Sequence, residues 1–304
     1  MTVVIPAYGV GPMLGDALDS VIAQDRADWQ AIVVDDGDVR VAEHIARYLA
    51  DPRIRFLQTE NGGLPTARNR AIAAADTPYV ALLDGDDVLE PDFVSSMIAA
   101  IEVSPRIGFA TGDAVFFGAD RAGERFSAYC PQIAPATLER VIRREFNVFG
   151  LTAMRREAIL GIGGFDAGLK SSEDLDAWIR LLAAGWDLAH VPRPLARYRR
   201  RAGQMSGNTT VMLRTAHAVM DKARKHLAGR PEAAAADEMC ARIEKDMAIE
   251  DAFQRVAAGK VRAGVADLIR LGVGTRSPRW RKALWLMRMA PFLAPWLMRL
   301  RERV

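Results

Sequence analysis

Within the first 84 residues four short apolar runs alternate with segments of helical spacing, and this alternation limits the chain to few folds. Residues 2–8 (TVVIPAY), 29–36 (WQAIVVDD), 53–58 (RIRFLQ) and 79–84 (YVALLD) read as strands. Residues 12–24 carry Leu14, Leu18, Val21 and Ile22 at helical spacing, and residues 39–50 carry Val41, Ile45 and Leu49 in the same way. A third helix is predicted over 64–75, with Pro65 suited to its first turn. Strands that alternate with helices give a parallel sheet covered on both faces. Ligands of such sheets bind beyond the carboxyl ends of the strands.

Polar clusters stand at those ends. Tyr8 follows the first strand, Asp35 and Asp36 close the second, and TENGGLPTARN follows the third. Asp84, Asp86 and Asp87 follow the fourth, with Glu90 and Asp92 just behind. Asp and Gly after one strand are ordinary turn formers, but several such clusters at one end of a sheet point to a ligand site. Carboxylates this close repel unless a positive charge sits among them. Asp-x-Asp-Asp at a strand end offers hard oxygen ligands for Mg²⁺ or Mn²⁺, and an acidic, solvated turn is the plainer alternative.

Past residue 105 the pattern loosens. IGFATGDAVFFG (107–118) and EFNVFGLTAMR (145–155) read as strands, on either side of a polar, proline-containing stretch from 119 to 138. Residues 171–186 read as a helix, with Ser171 or Ser172 as N-cap and Glu173 and Asp174 in the first turn. Acids there are favoured by the helix dipole alone, which leaves the accompanying GGFD and DAWIRLLAAG unexplained. DLAHVPRPLARYRRR reads as strand and turn, GRPEAAAAD (229–237) as a boundary, and only helical patterns lie beyond it.

In this order the motifs resemble the inverting glycosyltransferases of family 2, which have the GT-A fold. VVIPAYG, IVVDDGD, ENGGLPTARNRAIAAA, YVALLDGDD, GGFDAGLKSSEDLDAWIRL and YRRRAGQMS carry the resemblance, from residue 2 to about 207. The family more often has Asn where Gly9 stands. The resemblance implies a Rossmann-like, mostly parallel sheet flanked by helices, with a helical C-terminal extension. The implied units are 1–228 (a nucleotide-sugar half at 1–105 and an acceptor half at 106–228) and an extension at 229–304. It implies a hexosyltransferase-type enzyme that moves a sugar, with inversion, from a nucleoside-diphosphate sugar to a hydroxyl of a glycan or lipid-linked acceptor. A UDP-sugar is the expected donor, and polysaccharide or cell-envelope assembly the expected setting.

Residue by residue, the resemblance gives Asp36 the nucleobase, with Pro6 and Tyr8 nearby; Asp35 either assists or only shapes the turn. Asp84 faces the ribose or sugar, and Arg68 lies near the donor. Asp86 is the principal ligand of Mn²⁺ or Mg²⁺, with Asp87 beside it. Asp174 is the general base and Glu173 its neighbour on the acceptor side. Arg201 stands where the family usually has His. Arg cannot ligate a metal at neutral pH, so it either pairs with the diphosphate or is a surface arginine. An inactive sugar-nucleotide-binding or membrane-docked scaffold is the alternative reading. A metal-dependent phosphatase fits less well, because Gly85 falls between the acids and no Thr follows.

The net charge of +3 in 304 residues excludes a strongly basic nucleic-acid binder. Cys130 and Cys240 match no metal or redox spacing and suit a reducing compartment. No leader is expected ahead of the first strand, which begins at residue 2 with no basic region or cleavage site before it, and no apolar run reaches the about 18 residues of a spanning helix. The expected location is the cytoplasm, possible peripheral contact with the inner face of the cell membrane included. That contact concerns residues 276–304, which hold eight Arg/Lys and one Glu around Trp280, Trp285 and Trp296. Two readings stand for this tail: a hairpin packed on residues 238–271, or an amphipathic stretch lying among lipid headgroups.

Overall fold

A computed structural model describes residues 1–38, 40–201, 204 and 207–298. Ala202, Gly203, Met205 and Ser206 of the closing motif, and residues 299–304 of the tail, lie outside the described residues. The amino-terminal half follows the alternating pattern: β1 (Thr2–Ala7), α1 (Met13–Ile22), β2 (Gln30–Asp36), α2 (Val41–Ile45), β3 (Ile54–Thr59), α3 (Leu64–Ala74) and β4 (Tyr79–Leu82). Residues 46–50 complete the second helical segment as a 3₁₀ turn. β5 (Val88–Leu89), α4 (Phe93–Glu102), β6 (Ile107–Gly118), α5 (Leu138–Ile142), β7 (Thr152–Arg155), α6 (Arg156–Gly161), α7 (Glu173–Ala183) and β8 (Asp187–Arg200) follow. The chain closes with α8 (Thr209–His226), α9 (Ala233–Ala257), α10 (Val261–Arg270), α11 (Val273–Arg276), α12 (Pro278–Met289) and α13 (Ala294–Met298).

The eight strands form one sheet in the order β3-β2-β1-β4-β7-β6-β8-β5. β1, β2, β3 and β4 are parallel, as the alternating pattern predicts. The second half is mixed: β7 runs antiparallel to β4 and β6, β8 parallel to β6, and β5 antiparallel to β8. The all-apolar strands β1 and β2 are buried on both faces, so helices must cover both sides. One face packs Val4, Ile32, Val34 and Leu82 against α3, α5, α7 and α8. The other packs Val3, Ile5, Val33 and Leu83 against α1 and α4.

Three local expectations change. The strand predicted over 145–155 is only β7; Arg144 at φ 60° follows α5, and Asn147 donates to the carbonyls of Pro131 and Arg144, holding residues 145–151 as a loop. The segment predicted as strand and turn from 187 is one strand of 14 residues. It tolerates Pro192 and Pro194 because β5 pairs only at Ala196 and Arg197, and because the register with β6 slips around Asp113. Ser172 occupies the N-cap position of α7 at φ 60° without capping it; its hydroxyl and that of Ser171 meet Thr215 Oγ1 instead.

The expected division at 229 falls between α8 and α9. The hydrophobic clusters divide later, inside α9: Ala235, Ala236, Met239, Cys240 and Ile243 belong to the main core. Ile249, Ala252, Phe253 and Val256 pack instead with Val265, Leu268, Ala283, Leu284, Met287, Ala294 and Leu297. The inner face of α12 and α13 therefore packs as the hairpin reading requires.

Candidate active site

Each strand end contributes a fixed piece. Pro6 is buried in β1, and Tyr8 just beyond it is exposed. Gly9 has φ +64°, a left-handed conformation that Gly and Asn tolerate best, which suits the Asn common at this point in the family. Asp35 accepts from the amides of Gly37 (3.0 Å) and Asp38 (2.7 Å), so its carboxylate shapes the β2 turn. Asp36 is buried and accepts from the amides of Gly62 and Gly63, each at 2.8 Å. It thereby holds the β3–α3 loop against the end of β2.

Asp84, Asp86 and Asp87 lie on a tight turn closed by the Asp87 amide donating to the Asp84 carbonyl at 3.0 Å. Gly85 belongs between them because a Cβ there would press on the Pro6 carbonyl and on Val10, each at 3.1 Å. The positive charges among these acids are arginines. Arg68 donates to Asp84 Oδ1 and to Glu173 Oε1, each at 2.7 Å. Arg201 donates from Nε to Asp86 Oδ2 at 2.8 Å. The Arg199 amide reaches Asp87 Oδ1 at 2.7 Å, and its side chain reaches the Asp86 carbonyl and Asp16.

The guanidiniums do not match the acids in number. Six carboxylates (Asp16, Asp84, Asp86, Asp87, Glu173 and Asp174) stand around Arg68, Arg199 and Arg201, so the acids outnumber the guanidiniums by three. Burial, together with this crowding, sets the titration of the site. Burial, then the neighbouring Asp84, raises the Asp86 carboxyl against the opposing pull of Arg201. Burial and the charges of Asp84 and Asp86 push Asp87 well above the ordinary range. Burial also lifts Glu173 to about 7, opposed by Arg68 and reinforced by Asp174. Burial alone would lower Arg68, but Asp84, Glu173 and Asp174 outweigh it and hold it firmly charged.

Asp174 is half-exposed at the amino end of α7 and accepts from the Leu175 amide at 2.7 Å. A Cβ on Gly150 would lie 3.7 Å from Asp174 Oδ2, so the backbone opposite the carboxylate carries no side chain. Arg68 thus joins two acid groups 89 residues apart in the sequence, Asp84 at the end of β4 and Glu173 beside Asp174.

A divalent cation fits the donor set in charge and in hardness. Among the described residues no three carboxylate, imidazole or thiol side chains are grouped to hold an ion by themselves. Mg²⁺ and Mn²⁺ sites of this kind need only one or two protein carboxylates, the remaining positions going to substrate phosphate and water. Asp86, buried but less completely than Asp87 and paired on one oxygen, meets that requirement better than Asp87, which is enclosed against Arg199.

Several residues that organise the site escape a reading of the motifs as ligands. Asn69 donates to the Phe165 carbonyl (2.7 Å) and accepts from its amide (2.8 Å), clamping GGFD onto α3. Gly164, at φ +76°, is required there, since a Cβ would stand 2.5 Å from Asn69 Oδ1. Arg180 donates to the carbonyls of Ile162 and Gly164 and to Asp176, which also pairs with Lys222. Trp178 stacks on Phe109 at 5.3 Å. The GGFD and DAWIRLL motifs therefore build the scaffold that holds Glu173 and Asp174 in place. Their presence beside Arg-Asn in α3 was the available signal.

The mixed sheet, with its acids gathered at one edge, is the architecture of GT-A glycosyltransferases. The chain belongs to glycosyl transferase family 2, whose model matches residues 2–160. Succinoglycan biosynthesis protein ExoO of Rhizobium meliloti is 28% identical over 221 residues, covering 68% of this chain and 62% of that protein. The chain spans only about a quarter or less of the first curated relatives it matches. Staphylococcus aureus TarS 1–349 in complex with UDP-GlcNAc superposes with a TM-score of 0.66 at 18% identity, over 95% of this chain and 87% of that one. Mannosyltransferase PcManGT from Pyrobaculum calidifontis, in complex with GDP-Man and Mn²⁺, gives 0.63 at 17% identity, over 100% and 87%. At such identities the two structures speak for the fold. Among the described residues no helix is long and apolar enough to cross a membrane.

Proposed function

We propose that this glycosyltransferase is an inverting enzyme using a nucleoside-diphosphate sugar, with a UDP-sugar as the expected donor and a glycan or lipid-linked hydroxyl as acceptor. The observation that carries the reading is the buried Arg68 bridge, which sets the donor-side Asp84 and the base-side Glu173–Asp174 pair against one guanidinium. Residues 1–105 form the donor half and 106–228 the acceptor half, with the helices from 229 onward as an extension. Tyr8 and Asp36 flank the nucleobase site, Pro6 and Asp35 shape it, and Asp84 faces the ribose or sugar. The nucleotide-sugar complexes of TarS and PcManGT support this class of donor.

The acceptor hydroxyl attacks the anomeric carbon as the bond from that carbon to the diphosphate breaks, and the diphosphate leaves with the bonding electrons. Asp174 takes the hydroxyl proton, a transfer typically worth 10²–10⁴-fold. One displacement opposite the leaving group inverts the centre, through an oxocarbenium-like transition state of the kind seen in glycoside hydrolysis. Glu173, held by Arg68, keeps the amino end of α7 in register with the donor side. A divalent cation held by Asp86, with Asp87 behind it, would supply positive charge against the leaving diphosphate. Arg201, already on Asp86, is placed to pair with the same phosphates.

Asp174→Asn tests the assignment, because it keeps the shape of the side chain and removes its basicity. Donor binding should be nearly unchanged while transfer falls by roughly 10²–10⁴-fold. NMR of the product should show the anomeric configuration opposite to the donor's. Near-normal turnover in the variant, or a retained configuration, overturns the mechanism.

A further inference from the structure

We infer that the outer face of α12 and α13 is a docking surface for an anionic lipid bilayer. The inference is independent of the catalytic assignment and rests on side chains that the fold turns outward. The two readings of the tail describe its two faces. Ala283, Leu284, Met287, Ala294 and Leu297 pack inward on α9 and α10. Trp280 joins them, its ring 5.1 Å from that of Phe253. The opposite face exposes 61% of Trp285, 67% of Met289, 81% of Phe292 and 63% of Trp296. Trp285 and Met289 stand one turn apart on α12, and Phe292 and Trp296 one turn apart beyond the break at Ala290–Pro291. Together they expose roughly 500 Å² of apolar surface, as large as the largest patches on ordinary monomers.

The surrounding charge identifies the occupant. On α12, Arg281 and Arg288 lie within one turn of Trp285 on one side and Lys282 on the other, and all three are exposed. Residues 276–298 contain no Asp or Glu. Among the described residues Arg279, Arg281, Lys282 and Arg288 have no acidic partner, whereas Arg68, Arg180, Arg199, Arg200 and Arg201 around the candidate site are all paired. An apolar centre with Trp and Met, bordered by unpaired cations, fits a surface that is greasy in depth and negative at its rim. That is the headgroup layer of an anionic membrane. A second copy of this chain fits worse, because a two-fold contact through this face would set the basic borders against each other. With the inner face of α12 locked in the core, the surface would lie along the membrane without inserting through it.

The full-length protein should cosediment with vesicles of phosphatidylcholine mixed with phosphatidylglycerol at low salt, and much less with phosphatidylcholine alone. Brominated lipids should quench the emission of Trp285 and Trp296, and binding should weaken as salt screens the arginines. The double variant Trp285→Ser/Trp296→Ser should lose at least tenfold in partition at every salt concentration. Arg281→Gln/Arg288→Gln should lose about fivefold per residue, and only at low salt. Both pairs are solvent-facing, and unchanged melting curves would confirm that the fold is intact. Failure of the full-length protein to bind anionic vesicles at low salt overturns the inference. Variants that bind as the parent does also overturn it, as does concentration-dependent dimerisation abolished by the tryptophan variant.

Discussion

Replacing Arg68 with Met removes two ion pairs at once, each 2.7 Å long. The two partners do not suffer equally. The Asp84 side chain is 36% exposed and can be rehydrated, whereas Glu173 is only 5% exposed and cannot. Breaking a buried pair from one side costs about 3–5 kcal/mol, and here that cost falls on Glu173. Its carboxyl already stands at about 7 rather than 4.5, raised chiefly by burial and held down by Arg68. Without the guanidinium it must rise further. An acid whose folded value lies above its unfolded one keeps its proton in the native state after the unfolded chain has released it. Its contribution is therefore full below about 4.5 and is lost as pH climbs to the folded value. In the native protein that loss is nearly complete just above neutrality, and in R68M it extends into the alkaline range. The stability gap between the two proteins thus widens with pH, by ~1.4 kcal/mol for each unit the carboxyl rises. Urea unfolding at about pH 6 and about pH 9 reads this directly, with an expected loss of ~3 kcal/mol or more at the higher pH and clearly less at the lower. A loss below ~1 kcal/mol, or one equal at both pH values, would refute the reasoning.

Asp86→Ala should remove most of the dependence of nucleoside-diphosphate affinity on Mn²⁺ or Mg²⁺. Calorimetric titration with and without chelator checks this, and an unchanged metal effect would assign the cation to other ligands. Gly164→Ala places a Cβ 2.5 Å from Asn69 Oδ1 at a left-handed φ, so it should destabilise by about 2–4 kcal/mol and loosen the GGFD clamp. Hydrogen exchange should then quicken at the Phe165 amide, which Asn69 holds; a stable variant with a protected amide would contradict the clamp.

The alternation of apolar strands and helical segments was legible in the sequence because each signal is local. Strand period, helix period and turn residues are written within a few positions of one another, and β1 to β4 arose where that pattern put them. The acids at the strand ends were legible for the same reason, and the order of motifs identified the family. What only tertiary structure decided is which charge answers which. Arg68 meets Asp84 sixteen positions away and Glu173 over a hundred positions away, and Arg201 meets Asp86 across a similar span. No local rule selects these partners, since they depend on the path that brings α3, α7 and the end of β8 to one edge of the sheet. The same holds for Ser172, which looks like a helix cap until Thr215 on α8 claims its hydroxyl, and for a 14-residue strand that keeps two prolines because its neighbour β5 is short. In the tail the composition was plain, but which tryptophan faces inward was settled by Phe253, a residue of another helix that gives Trp280 a partner and leaves Trp285 and Trp296 outside.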